Sequence, residues 1–165
     1  MLRSFSIWIH GTGLSWAIRG GVPWIWPACE TLHFIGMALL IGIVGLIDLR
    51  MLGLVKGLPL RPLQRLLLWG IAGFVLNAMT GFLFFAGDPS QYIDNRAFWA
   101  KLVFIALAGG NALLFYATGL SGTIDSASPG DDAPRGAKLI AAASLFLWFG
   151  VIFWGRMLPF IGNSF

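Results

Sequence analysis

Hydrophobic side chains fall in four blocks of about 20 residues divided by short polar punctuation, the pattern that crosses ~30 Å of hydrocarbon as helices. The blocks are 28–47 (ACETLHFIGMALLIGIVGLI), 66–86 (LLLWGIAGFVLNAMTGFLFFA), 98–119 (FWAKLVFIALAGGNALLFYATG) and 138–162 (KLIAAASLFLWFGVIFWGRMLPFIG). Pro27 suits the start of the first helix and the DLR of 48–50 its end, while Pro59 and Pro62 break the chain before the second. GDPSQYIDNR (87–96) is a turn-rich connection, and SGTIDSASPGDDAPRG (121–136) is by composition the most mobile stretch. Residues 2–26 are too interrupted to span. Their Phe5, Trp8, Trp16, Trp24 and Trp26 fit a segment lying along the membrane interface. The expected fold is therefore all-α: one domain, residues 1–165, a membrane four-helix bundle with an N-terminal interfacial segment.

Composition agrees with that picture. Of 165 residues 58% are hydrophobic and 11% charged, and the mean hydropathy is +0.81, against roughly 25% charged residues in soluble domains. The net charge of +4 comes from basic residues scattered singly or placed beside the hydrophobic blocks, so a nucleic-acid partner is not expected and the lipid bilayer is. A lone cysteine, Cys29, permits no intrachain disulfide and no CxxC motif. The N-terminus lacks the continuous apolar run of a cleavable signal, and insertion without cleavage is expected.

Orientation follows from the basic residues of the connections. Arg50, Lys56, Arg61, Arg65, Arg135 and Lys138 lie on one side, and Arg3, Arg19, Arg96, Lys101 and Arg156 on the other, Lys101 and Arg156 falling within spans. The imbalance predicts both termini outside, which for a bacterial inner (cytoplasmic) membrane protein means the periplasm.

Polar side chains within spans need a partner or a task. Glu30, His33 and Met37 are spaced i, i+3, i+7 and share a face of the first helix, which Asp48 rejoins five turns later. The topology puts Glu30, His33, Lys101 and Arg156 near the N-terminal surface, where His10 and most tryptophans also belong. Lys101 and Arg156 are expected to snorkel or to pair with Glu30, Asp48 and Arg50 to pair at a helix end, and Asn77, Thr80 and Asn111 to hydrogen-bond between helices, Asn77 with Asn111. Two imidazoles at one surface permit a single haem b with His33 and His10 as axial ligands, aromatic walls, and Lys101 and Arg156 for the propionates. The partner of such an electron-transfer protein is a quinone or a redox protein. Copper bound by His33, His10 and Met37, or copper or proton transport through Glu30, His33 and Met37, is the alternative. A third reading makes the chain a structural or accessory subunit, either a homo-oligomer or part of a larger complex. No nucleophile–base pair, phosphate loop or hydrolase or transferase signature is present.

The runs ETLHFIGMALLIGIVGLIDLRMLGL, LLLWGIAGFVLNAMTGFLFFAGDPSQYIDNRAFWAKLVFIALAGGN and LWFGVIFWGR resemble a family of uncharacterised bacterial four-helix inner-membrane proteins, across residues 27–157. Glu30, His33, Asp48, Arg50, Gly73, Thr80, Gly81, Phe98, Lys101, Asn111, Gly155 and Arg156 carry the likeness. It implies fold and membrane location rather than an activity. The LHxxGxAxxxG pattern of the first span is distantly similar to copper-resistance membrane proteins and small b-type cytochromes. Those cytochromes have histidines on several spans, whereas spans two to four here have none, so one haem per chain is the most the likeness implies.

Overall fold

The computed structural model describes residues 2–125 and 130–161. The centre of the 121–136 connection, residues 126–129, and residue 162 of the fourth expected span lie outside the described residues. Among the described residues four helices are long and apolar enough to cross a membrane, each longer than or displaced from its hydrophobic block. They are α3 (Ile25–Leu52), α4 (Leu60–Gly87), α6 (Arg96–Ala117) and α8 (Arg135–Met157), the last preceded by the short α7 (Leu120–Asp125) and extended by a 3-10 turn, Leu158–Phe160. The chain is an all-α membrane protein.

Helix ends explain the boundaries. α3 continues through the charged DLR of 48–50, because Asp48 and Arg50 are buried against other segments and not at a frayed terminus. It stops where Gly53 adopts a left-handed φ of 90° and donates its backbone N–H to the Leu49 and Arg50 carbonyls. Asn95 starts α6: its Oδ1 accepts from the Ala97 N–H at 2.9 Å, and its Nδ2 donates to the Leu158 carbonyl at 2.9 Å, tying α6 to the end of α8.

The spans pack as a row folded back on itself, α4 on α3, α3 on α8, and α8 on α6. α4 and α6 also meet, through stacked Phe85 and Phe98 rings 6.0 Å apart. α3 and α4 pack backbone against backbone. A Cβ placed on Gly73 would stand 2.6 Å from the Gly36 carbonyl oxygen, and one on Gly36 would stand 2.8 Å from that of Gly73. Two glycines facing each other let the backbones touch, the usual solution where lipid offers no hydrophobic drive to association. Phe104 of α6 covers Gly150 of α8 in a similar way.

Residues 2–21 form α1 (Leu2–His10), α2 (Gly13–Trp16) and a wide π turn, Ala17–Gly21. They fold over the end of α4: Ile9 and Ile18 pack on Ala86, and the Ser15 hydroxyl donates to the Gly87 carbonyl at 3.2 Å. Trp8, Trp16 and Trp24 stay exposed on the outside. α1 also packs on α5 (Pro89–Ile93), the short helix joining α4 to α6.

Candidate functional site

The Gly36–Gly73 crossing fixes what lies one or two turns away. His33 of α3 and Thr80 of α4 face each other across this interface, with His33 Nδ1 2.7 Å from Thr80 Oγ1. The threonine hydroxyl has one proton, and its best acceptor is the Leu76 carbonyl at 2.7 Å. Thr80 Oγ1 therefore accepts from His33, which puts the imidazole proton on Nδ1 and leaves a lone pair on Nε2. Nε2 has no hydrogen-bond partner among the described residues.

The surroundings of the ring are apolar apart from one charge. Phe84 stands edge-on at 5.4 Å between centroids and Trp26 lies 5.1 Å beyond it. A Cβ on Gly81 would stand 3.9 Å from His33 Cε1, so that glycine borders the ring in ordinary contact. The charge acting on the imidazole is that of half-buried Lys101, whose stem lies over Gly155 of α8. Among the described residues neither Lys101 nor Arg156 is ion-paired with Glu30; Glu30 is exposed, and Arg156 lies 5.6 Å over the Phe160 ring. Met37 is half-buried on the His33 face of α3.

His10 has a different environment. It is exposed at the end of α1, and Arg19 closes on it with Nη1 against the imidazole Nε2 and Nη2 on the His10 carbonyl at 3.2 Å. A guanidinium only donates, so the His10 Nε2 lone pair is already occupied. The two histidines thus offer unequal ligands, His33 a free Nε2 and His10 an engaged one. Among the described residues no three His, Cys, Asp or Glu side chains converge. Around His33 the chain offers one free imidazole nitrogen, aromatic neighbours and a cation.

No family model, curated protein or solved structure matches the chain. Residue roles therefore rest on this geometry alone.

Several expected partners are not the observed ones. Asn77 does not reach Asn111: its Nδ2 donates to the Gly73 carbonyl at 3.0 Å, and that of Asn111 to the Ile140 carbonyl at 3.0 Å, joining α6 to α8. Asp48 and Arg50 form no ion pair, because two residues along a helix turn their side chains about 200° apart. Arg50 is fully buried, with Nε donating to the Leu58 carbonyl at 2.7 Å and Nη1 to that of Asp131 at 3.2 Å. Arg19 and Asn95 were not singled out by sequence reasoning. Asn95 is signalled by an Asn directly before an apolar run, whereas Arg19 has no local signature.

Proposed function

We propose that the chain is a bacterial inner-membrane electron-transfer protein that holds one haem b on His33 Nε2 near the N-terminal, periplasmic surface. The observation that carries this reading is the relay from His33 Nδ1 through the Thr80 hydroxyl to the Leu76 carbonyl. Metal-bound histidines characteristically spend their second ring N–H on such a partner, which fixes the tautomer and aims the other nitrogen. Lys101 supplies a cation suited to a propionate, and Trp26 and Phe84 an apolar flank. A bound haem supplies one-electron exchange; the chain's own residues orient the ligand and exclude water. The same free nitrogen suits copper, with Met37 as the nearby soft donor on the same helix face, and that is the competing ligand.

The test is the absorption spectrum of protein purified from haem-replete cells, read oxidised and reduced. A Soret band is expected in wild type and in His10→Ala, and its loss in His33→Ala. Wild-type protein without a Soret band but with stoichiometric copper replaces haem by copper; protein with neither ends the cofactor reading.

A further inference from the structure

The far end of α3 carries a polar atom that nothing described so far uses. Asp48 is 3% exposed, and its Oδ2 has no hydrogen-bond partner. Ser144 of α8, itself buried, is the polar side chain that faces this carboxyl. A buried carboxyl oxygen without a hydrogen-bond partner costs several kcal/mol in an apolar setting, and no partner is present among the described residues.

Asp48 lines a groove of about 160 Å3 between α3 and α8. Ile41 and Gly45 form one wall, Trp148, Phe149 and Ile152 the other, and Asp48 lies at the end towards the α3–α4 connection. The groove borders the surface of the bundle: Phe149 is 69% and Ile152 36% exposed, on a helix that crosses the membrane, and what meets them there is lipid. Size and shape limit the occupant. An apolar cavity of about 150 Å3 admits one benzene ring, and the indole and phenyl walls offer faces for such a ring. Asp48 is the lining residue with a charged or hydrogen-bonding side chain apart from the Trp148 indole N–H, so one hydroxyl donor is matched while the three donors of an ammonium group are not.

We propose that the α3/α8 groove binds the ring of a membrane-soluble hydroquinone, one hydroxyl donating to Asp48 Oδ2 and the tail leaving into lipid past Phe149 and Ile152. The site is separate from His33 and needs no haem. Its occupant arrives from within the bilayer, and the Asp48 carboxyl, 3% exposed, turns towards the groove to meet it.

A decyl-tailed hydroquinone, titrated into protein in nanodiscs, tests the site, with its dimethyl ether as a control that partitions alike but has no donor. Saturable binding of one equivalent is expected. Binding should shield Asp48 from a lipophilic carbodiimide, scored by peptide mass. The ether, Asp48→Leu and Ile41→Trp, which fills the groove and keeps the acid, should each bind at least about tenfold more weakly. Asp48→Asn keeps an acceptor oxygen and should stay within about threefold of wild type. Equal binding of hydroquinone and ether, or unchanged affinity in both Asp48→Leu and Ile41→Trp, overturns the proposal. A carbodiimide-accessible Asp48 that the hydroquinone never protects overturns it as well. His33→Ala should leave this titration unchanged, so loss of the haem reading does not touch it.

Discussion

The two ends of α3 bury polar side chains in opposite ways. Towards the N-terminal side, His33 spends one nitrogen on Thr80 and leaves the other free beside aromatic rings and Lys101. Towards the far side, Arg50 is fully enclosed and gives Nε–H and an Nη1–H to carbonyls of two connections, at Leu58 and Asp131. The first arrangement keeps a lone pair in hand. The second spends a charge on joining 53–59 to 130–134, with Gly130 N–H on the Lys56 carbonyl at 3.1 Å as a further stitch. Polar side chains buried in a membrane protein thus serve two ends, and the partner type distinguishes them: backbone carbonyls mark a clasp, a single side-chain hydroxyl marks an oriented base.

The strongest way to break this contrast is to remove the clasp. Arg50→Ala deletes two charge-assisted hydrogen bonds and empties a fully buried position. A loss of about 3 to 5 kcal/mol in detergent unfolding is expected. Arg50→Lys should recover little, because an ammonium cannot fork to two carbonyls that the planar guanidinium reaches together. If Arg50→Ala unfolds like wild type, the clasp is ornamental and the contrast fails.

The next largest effect belongs to the crossing that sets the His33 end. Gly73→Ala places a methyl 2.6 Å from the Gly36 carbonyl oxygen, a distance that forces α3 and α4 apart. A cost of about 1 to 3 kcal/mol is expected, with weakened binding of any His33 ligand. Gly42→Ala, on the same α3 with nothing within 4 Å of the new methyl, is the control and should be neutral or slightly stabilising. Equal stability of the two variants would mean that the crossing does not position His33.

What the sequence revealed and what it hid follow the same division. The four spans were legible because an apolar block of about 20 residues has few other uses. His33 stood out because an imidazole in a span demands explanation, and Thr80 because a hydroxyl in a span needs a partner. Arg50 was misread as half of a surface pair. Its real acceptors, Leu58 and Asp131, are carbonyls contributed by connections 8 and 81 residues away, and a backbone carbonyl leaves no mark in a sequence. The same holds for His10: that Arg19 would turn back onto its Nε2 depends on the reversal between α1 and the π turn, including Gly20 at a φ of 119°. Local pattern gave elements and candidate atoms; which lone pairs remain free is a property of how connections fold.

A smaller effect separates orientation from stability at His33. Thr80→Val keeps the shape of the side chain but removes the acceptor of the His33 N–H, so about 1 kcal/mol should be lost in the apo protein. Affinity for the His33 ligand should fall more, tenfold to a hundredfold, because an unanchored ring presents either nitrogen. Thr80→Ser retains the hydroxyl and should bind as wild type. Titration of haem, or of copper if that is the ligand, beside thermal unfolding separates the two losses. If affinity falls only in proportion to stability, Thr80 is packing rather than a support for the imidazole.

The smallest expected effect is at the rim of the clasp, where Asp132 sits between Lys138 at 2.8 Å and Lys56 at 3.1 Å. Hydrogen bonds from Lys138 and then Lys56 hold its carboxyl below the ordinary carboxylate range, against a small opposing push from desolvation. A carboxyl whose folded value is depressed adds its stabilisation in full above the unfolded value of about 3.9, and loses it as pH falls through the lower folded value. From pH 8 to pH 5 the clip should therefore be constant. All three side chains are substantially exposed, so salt screens them and their share of the global stability is slight. The measurement that can see it is local: hydrogen exchange at the Gly130 amide, which is bonded to the Lys56 carbonyl. Asp132→Asn or high salt should speed that exchange modestly at neutral pH, while leaving Arg50-dependent unfolding unchanged. A global loss of stability in Asp132→Asn would move the centre of the clasp from the buried guanidinium to its exposed rim.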